Sequence, residues 1–432
     1  MTSTPSHAPS TSIRPAVFSR LSAMMLLQFM TYGAWWATLG LVLTTYGMAS
    51  IVGVAYSLAA IGAMVSPLVI GAVADRFFSS QKVLAVLSAV SGLLLFALPP
   101  LIESGQTGLL LVVVFIYMLF FQPTISISNS IAFAHVPNQS NAFAYIRAFG
   151  TAGWIIIGLV IGQSGLSAST AIFTLAAVIS LVLAVYALTL PNTPPPARGK
   201  RFAWGDVIGV GAFRLFRQRS FVVLVICLLL AAIPISIYNS YGSTYLDAVG
   251  IPNVASFMTI GQITEVLALL LIPLVLRRFT MKVVLMTGLV AWVVRSIALL
   301  MMTGGNIGLA VVVVALHGIC SDFLTLAAFM FVDSIAKAQM RAQAQALVFF
   351  IAFGLGNAIG SLVAGELFNT FVGTSTDVLA WQPLWYIVGG LMLIAAVIMG
   401  LFFTSSSHGR TETGSIGAIA PKTQARRQRA AQ

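Results

Sequence analysis

Apolar residues come in runs of about 20 along this chain, the length at which a helix crosses the hydrocarbon core of a bilayer, and polar residues collect in the short stretches between them. Twelve runs can be drawn, over 21–43, 51–73, 83–101, 109–133, 142–163, 170–190, 221–245, 256–276, 283–302, 307–335, 344–370 and 384–404. They predict an all-α polytopic membrane protein with twelve transmembrane helices. Residues 1–18 are polar and rich in Ser, Thr and Pro, with no apolar core and no small-residue cleavage site. The first run therefore reads as a permanent helix and not as a signal peptide.

The connections between runs alternate in charge. Arg14 and Arg20 precede the first run, Arg76 and Lys82 join the second to the third, and Arg198, Lys200, Arg201, Arg214, Arg217 and Arg219 join the sixth to the seventh. Arg277, Arg278 and Lys282 follow the eighth, Lys337 and Arg341 the tenth, and Arg410, Lys422, Arg426, Arg427 and Arg429 the twelfth; the other connections contain no Lys or Arg. Basic loops stay on the cytoplasmic side, so both termini and the long central loop are expected inside, in a multi-pass protein of the cytoplasmic (inner) membrane. The C-terminal arginines read as a basic tail near anionic lipid headgroups.

Composition sharpens this picture. A soluble domain carries about 25% charged residues, whereas here 7% are charged and 59% hydrophobic, at a mean hydropathy of +1.00. The net charge of +12 would suggest nucleic acid in a soluble protein; here it belongs to membrane topology, and no nucleic-acid partner is expected. The two cysteines, Cys227 and Cys320, lie inside apolar runs without metal-ligand spacing or a disulfide framework. No Gly-rich phosphate loop is present, so neither ATP nor another cofactor is expected.

The chain repeats itself at an offset of about 200 residues. The segment Asp75-Arg76-Phe77 to Lys82-Val83 after the second run recurs loosely as Arg277-Arg278-Phe279 to Lys282-Val283 after the eighth, and Ala148-Phe149-Gly150 recurs as Ala352-Phe353-Gly354. Glycines continue in both later runs, Gly153, Gly158 and Gly162 against Gly356, Gly360 and Gly365, giving small-residue faces for close helix approach. The expected organisation is a tail over 1–20, a six-helix bundle over 21–190, a linker over 191–220 containing Pro194-Pro195-Pro196, a second bundle over 221–404 and a basic tail over 405–432. Two such halves are the build of alternating-access carriers, with the binding site between them near the midplane.

Polar residues inside the runs mark that site. Glu265 lies near the middle of Ser256 to Leu276, with Gln262 one turn earlier on the same face. A charge at the bilayer centre costs about 2.5–3.5 kcal/mol on insertion scales, so Glu265 reads as functional, the alternative being a protonated packing partner. Arg147 sits about six residues inside the fifth run, a cation for a substrate oxygen or a snorkelling surface residue. Thr151 and Trp154 share its face at i+4 and i+7. On the tenth run Asp322 lies near mid-span with His317 five residues back, off its stripe. Arg295 in the ninth is the expected partner that neutralises Asp322, with a structural or a functional role equally open. The seventh run offers Ser236, Tyr238 and Asn239 beside Pro234, the fourth Thr124, Ser128 and Asn129, and the first Gln28. Asp75, Arg76 and Lys82, with Arg295, read as structural or gating residues.

The stretches Leu27-Gln28-Phe29 with Gly33, Trp36 and Thr38-Leu39-Gly40; Pro123-Thr124 with Asn129; Arg147-x-x-Gly150-Thr151-x-Gly153; Leu188-Thr189-Leu190-Pro191; Gln262-Ile263-x-Glu265; Ala291-Trp292-x-x-Arg295; Gly318 with Asp322-Phe323; and Trp381-Gln382-x-x-Trp385 resemble the bacterial nucleoside:proton symporters of the major facilitator superfamily. The resemblance runs in register over nearly the whole chain. It implies two pseudo-symmetric six-helix bundles, proton-coupled nucleoside import, and a central site using Arg147, Thr151, Trp154, Asn239, Gln262, Glu265 and Asp322. Glu265 and Asp322 are the expected proton-coupling carboxylates.

The family carries a helix-7 glutamine and helix-10 aromatics where this chain has Ser236, His317 and Ser321. The expected base-stacking wall is therefore Trp154 alone, with His317 and Ser321 opposite. The expected partners are a nucleoside, a proton and membrane lipid, the carrier acting as a monomer and not as an enzyme. A proton-coupled sugar or oligosaccharide symporter of the same fold is the alternative, since the same amides, carboxylate and Trp platform suit hydroxyl-rich solutes. A membrane transferase would need clustered acidic or His residues at a membrane surface, which the chain lacks, and a non-transporting sensor would bind substrate without moving it.

Overall fold

The computed structural model describes residues 13–66, 78–136, 142–195, 210–337 and 340–404. Asp75 and Arg76, the linker residues 196–209 and the C-terminal basic tail lie outside the described residues. Regular structure among the described residues is helical throughout, as continuous apolar runs require in lipid, where only intra-segment hydrogen bonds satisfy the backbone.

The helices fall on the apolar runs. They are α1 (Pro15–Gly33, with a second arm Leu39–Thr45), α2 (Ala49–Ser66), α3 (Ser80–Glu103), α4 (Thr107–His135), α5 (Ala142–Gln163) and α6 (Ala171–Ala187). A second set follows: α7 (Arg219–Ala248), α8 (Val254–Arg278), α9 (Met281–Met301), α10 (Ile307–Ile335), α11 (Arg341–Phe371) and α12 (Val378–Phe402). Ten of these are long and apolar enough to cross a membrane. α6 falls short by length, and α1 departs from the single span expected over 21–43.

The break in α1 covers residues 34–38. Tyr32, Trp35 and Trp36 pack around it with Tyr56, Tyr117 and Phe121, ring centroids 4.9–6.1 Å apart. The Tyr56 hydroxyl donates to the Trp36 carbonyl at 2.8 Å, satisfying an acceptor that the broken helix leaves free. Several odd-numbered helices end on a glycine at positive φ, such as Gly165 (69°) after α5 and Gly250 (82°) after α7. Each caps its helix tightly, Leu166 N–H returning to Ile161 and Ile251 N–H to Leu246.

Packing within the first set joins α1 to α5, α3 to α6 and α2 to α4; within the second, α9 and α7 pack on α12. Gln28 donates to Thr124 Oγ1 at 2.7 Å between α1 and α4. Tyr245 donates to the Leu299 and Met302 carbonyls at 2.8 and 2.6 Å. The start of α3 is tied to the chain after α6, Gln81 bonding both Asn192 and the Thr193 amide.

The two sets meet along α5–α8, α2–α11 and the second arm of α1 with α7. These contacts are backbone-close. A Cβ on Gly53 would lie 2.6 Å from Gly365 Cα, one on Gly158 would lie 2.6 Å from Thr259 Cγ2, and one on Gly40 would overlap the Ser240 carbonyl oxygen. The C-terminal end of α5 meets the N-terminal end of α8, and the N-terminal end of α2 meets the C-terminal end of α11. All these contacts therefore close the molecule toward one face, the one carrying the connections free of Lys and Arg.

Candidate functional site

Between the two sets lies a cavity of about 340 Å³. Its first wall comes from α5, where Arg147, Thr151 and Trp154 follow one another up one face, as the i, i+4, i+7 spacing predicts. Gly33 makes room for Trp154: a Cβ there would sit 2.9 Å from the indole. Trp154 is steadied edge-on by Tyr32, centroids 5.2 Å apart. Arg147 turns into the cavity, its guanidinium 4.1 Å over the Phe29 ring, so the geometry is that of a cavity residue and not of a side chain reaching for the membrane surface.

The facing wall comes from the second set. Asn239 of α7, Gln262 and Glu265 of α8, and His317 and Ser321 of α10 all line the cavity. The eight residues expected to bind substrate are thus brought together from four helices. His317 Nε2 stands 3.9 Å from Glu265 Oε2, although the two lie 52 positions apart in the chain. The cavity combines a carboxylate, an imidazole, a guanidinium, amides and hydroxyls with flat rings, which suits a neutral solute having a planar part and several hydroxyls.

Two expectations are corrected. Arg295 and Asp322 do not pair. Among the described residues the ion pairs within 4.0 Å are His317–Glu265 and Arg341–Asp333. Arg295, fully buried, instead lies 3.5 Å over the Tyr238 ring and 4.9 Å from the Trp292 ring. Desolvated cation–π contacts of about 2 kcal/mol each hold its charge. Asp322, 8% exposed, opens a π-helical turn, Asp322–Leu326, and does not line the cavity; its Oδ2 finds no hydrogen-bond partner among the described residues.

The stacking wall is also more than Trp154. Phe29, Trp36, Tyr238, Trp292 and Phe353 share the cavity surface, so aromatic faces stand on both sides although Ser321 and His317 occupy helix-10 positions. Asn357 of α11 adds an amide that sequence reasoning missed; a lone asparagine within an apolar run was its signal. Lys82 lies exposed in the first turn of α3 and away from the cavity.

A family model described as "Nucleoside H+ symporter" matches residues 16–408. YegT of Escherichia coli (strain K12) is 34% identical over 409 residues, covering 90% of this chain and 94% of that one. The nucleoside permease NupG of the same organism is 27% identical, covering 92% of this chain and 98% of its own. The crystal structure of the nucleoside transporter NupG superposes with a TM-score of 0.80 over 90% of this chain and all of that one. A D-xylose-proton symporter, 15% identical, shares the fold at a TM-score of 0.67.

Proposed function

The chain belongs to the nucleoside H+ symporter family, and from that membership together with the cavity we infer how it works. It is a multi-pass inner-membrane carrier of the major facilitator fold that couples nucleoside import to proton entry. One observation carries the assignment of roles: Arg147, Thr151 and Trp154 from one half, and Asn239, Gln262, Glu265, His317 and Ser321 from the other, line one cavity with aromatic faces on both sides.

In this reading the base lies between Trp154 and the rings of Tyr238 and Trp292, each aromatic pairing contributing roughly 0.5–1.5 kcal/mol beyond burial. The ribose hydroxyls bond Gln262, Glu265 and Asn239, whose amides and carboxylate supply both donors and acceptors. Arg147 presents a planar fork to a base carbonyl or a hydroxyl. Glu265 and Asp322 are the carboxylates considered for coupling, because a carboxyl out of water resists ionisation and exchanges its proton when its surroundings change. A proton moved through 100 mV supplies about 2.3 kcal/mol, and each 1.4 kcal/mol is tenfold, so one proton sustains roughly fortyfold accumulation.

The halves are read as 21–190 and 221–404 around the 191–220 linker, with both termini cytoplasmic. With that orientation, the glycine contacts of α2–α11 and α5–α8 close the periplasmic side, and the cavity is reached from the cytoplasm. Each half supplies part of one site, so a single chain suffices. The carrier is read as a lipid-embedded monomer that performs no covalent chemistry.

Counterflow in proteoliposomes tests the substrate. Vesicles preloaded with unlabelled uridine or adenosine should accumulate labelled nucleoside, and vesicles loaded with xylose or a disaccharide should not accumulate labelled sugar. Exchange of sugars without exchange of nucleosides would replace this reading with a sugar carrier.

A further inference from the structure

The crossing of α8 and α10 is built around two side chains that titrate. Gly261 on α8 lies against the His317 side chain, where an added Cβ would sit 3.2 Å from His317 Cβ. Gly318 on α10 lies against the Thr264 carbonyl, where an added Cβ would sit 2.6 Å from the Glu265 nitrogen. The Gly318 amide donates to Thr264 Oγ1 at 3.3 Å. At Gly318 the two backbones therefore come into direct contact, with the Thr264 hydroxyl bonded across the crossing. Glu265 and His317 are carried to 3.9 Å by that approach, on a frame fixed by the crossing itself.

Both side chains are open to the cavity, 37% exposed for Glu265 and 24% for His317, so water there can deliver and remove a proton. Asp322 lacks that access. A carboxylate and an imidazole at this separation bind one proton more tightly than either would alone: the proton has two places to reside, and on the ring it gains a counter-charge.

We propose that the coupling proton is held jointly by Glu265 and His317, with His317 Nε2 as the second accepting atom of the site. At 3.9 Å the two atoms are too far apart for direct transfer, so a proton reaching the imidazole passes to Glu265 Oε2 through a bridging cavity water, leaving the ring neutral, and departs by the reverse route. The inference rests on the carrier reading above.

The pair is faced from every neighbouring helix. Arg147 of α5 and Tyr238 of α7 border the same cavity, Tyr238 stacked on His317 with centroids 6.3 Å apart. Arg295 of α9 lies on the Tyr238 ring. Cys320 and Asp322 follow on α10 itself. The cavity-lining residues of α1 and α11, Phe29, Trp36, Ala37, Phe353 and Asn357, do not titrate. Arg147 and Arg295 bring positive charge near the pair, and Asp322 is a second carboxylate within electrostatic reach of Glu265, so the contribution of His317 is read as the difference between wild type and a His317 variant.

His317→Phe keeps a flat ring against Tyr238 and removes both nitrogens. The first readout is proton uptake by the purified full-length protein, followed with an indicator dye in unbuffered detergent solution and without nucleoside. Removing one of the two accepting groups should move the uptake midpoint to lower pH by about one unit, a tenfold loss of proton affinity. The second is the pH midpoint of proton-driven uridine uptake in proteoliposomes, which should move in the same direction whatever happens to its amplitude. His317→Gln, which keeps an acceptor but does not titrate, should shift likewise and serves if the Phe variant melts early. A wild-type uptake curve in a folded His317 variant overturns the proposal. Wild-type protein that binds the proton but exchanges no uridine overturns the carrier reading instead.

Discussion

Arg147 reaches the cavity across the face of Phe29, so its planar group is already oriented before any substrate arrives. Lysine at this position would keep the charge but lose the fork and the stacking. Arg147→Lys should raise the KM for uridine about tenfold or more in proteoliposome uptake while the protein still inserts and melts normally; near-normal uptake would return the residue to the membrane surface. That the eight expected binding residues share one cavity was legible because a polar group in an apolar run is expensive and stands out. Trp292 and Phe353 were not, since a ring that lines a cavity and one that faces lipid look alike in a run of apolar residues. Arg295 and Asp322 were misjudged for a related reason. Two opposite charges in neighbouring spans suggest each other, and nothing in the linear pattern shows that the Tyr238 and Trp292 rings hold the cation instead.

Helices here are positioned by what they lack as much as by what they carry. Gly318 lets α10 lie on the Thr264 carbonyl and the Glu265 amide, and a valine there would push the helices apart where Gln262, Glu265 and His317 converge. Gly318→Val should cost about 1–3 kcal/mol, the usual range for overpacking. It should appear as a lowered melting temperature in detergent together with loss of uridine counterflow; full counterflow at an unchanged melting temperature would show that the crossing is loose. The all-helical, many-span build was readable from run length, and the twelve runs are consistent with ten helices long enough to span together with the broken α1 and the short α6. The break of α1 at 34–38 and the π-helical turns at Asp322–Leu326 and Phe349–Gly356 were not, because none of the three carries a helix-breaking proline. Such turns arise from neighbouring packing, and they often lie beside functional sites.

At the scale of the whole molecule, the alternation of basic and neutral connections predicts which face is which. Ser104→Cys, after α3, should react with an impermeant maleimide added outside intact cells, and Lys200→Cys should react only after the membrane is opened; the opposite pattern would invert the orientation and the side on which the cavity opens. The division into two halves was legible from those connections and from the repeat of glycine-rich runs. Which helices meet across the seam was not, because small-residue faces predict close approach without naming the partner. The seam nevertheless has a consequence for how such a carrier can diverge. Where Gly53 meets Gly365 and Gly162 meets Ser256, the seal has no room for an added side chain on the glycine, so even a methyl group is too thick. The seal should therefore tolerate little inherited variation. The cavity wall, made of side chains that can be exchanged one at a time, is freer to drift, and a lineage of these proteins can change what it carries far more easily than how it closes.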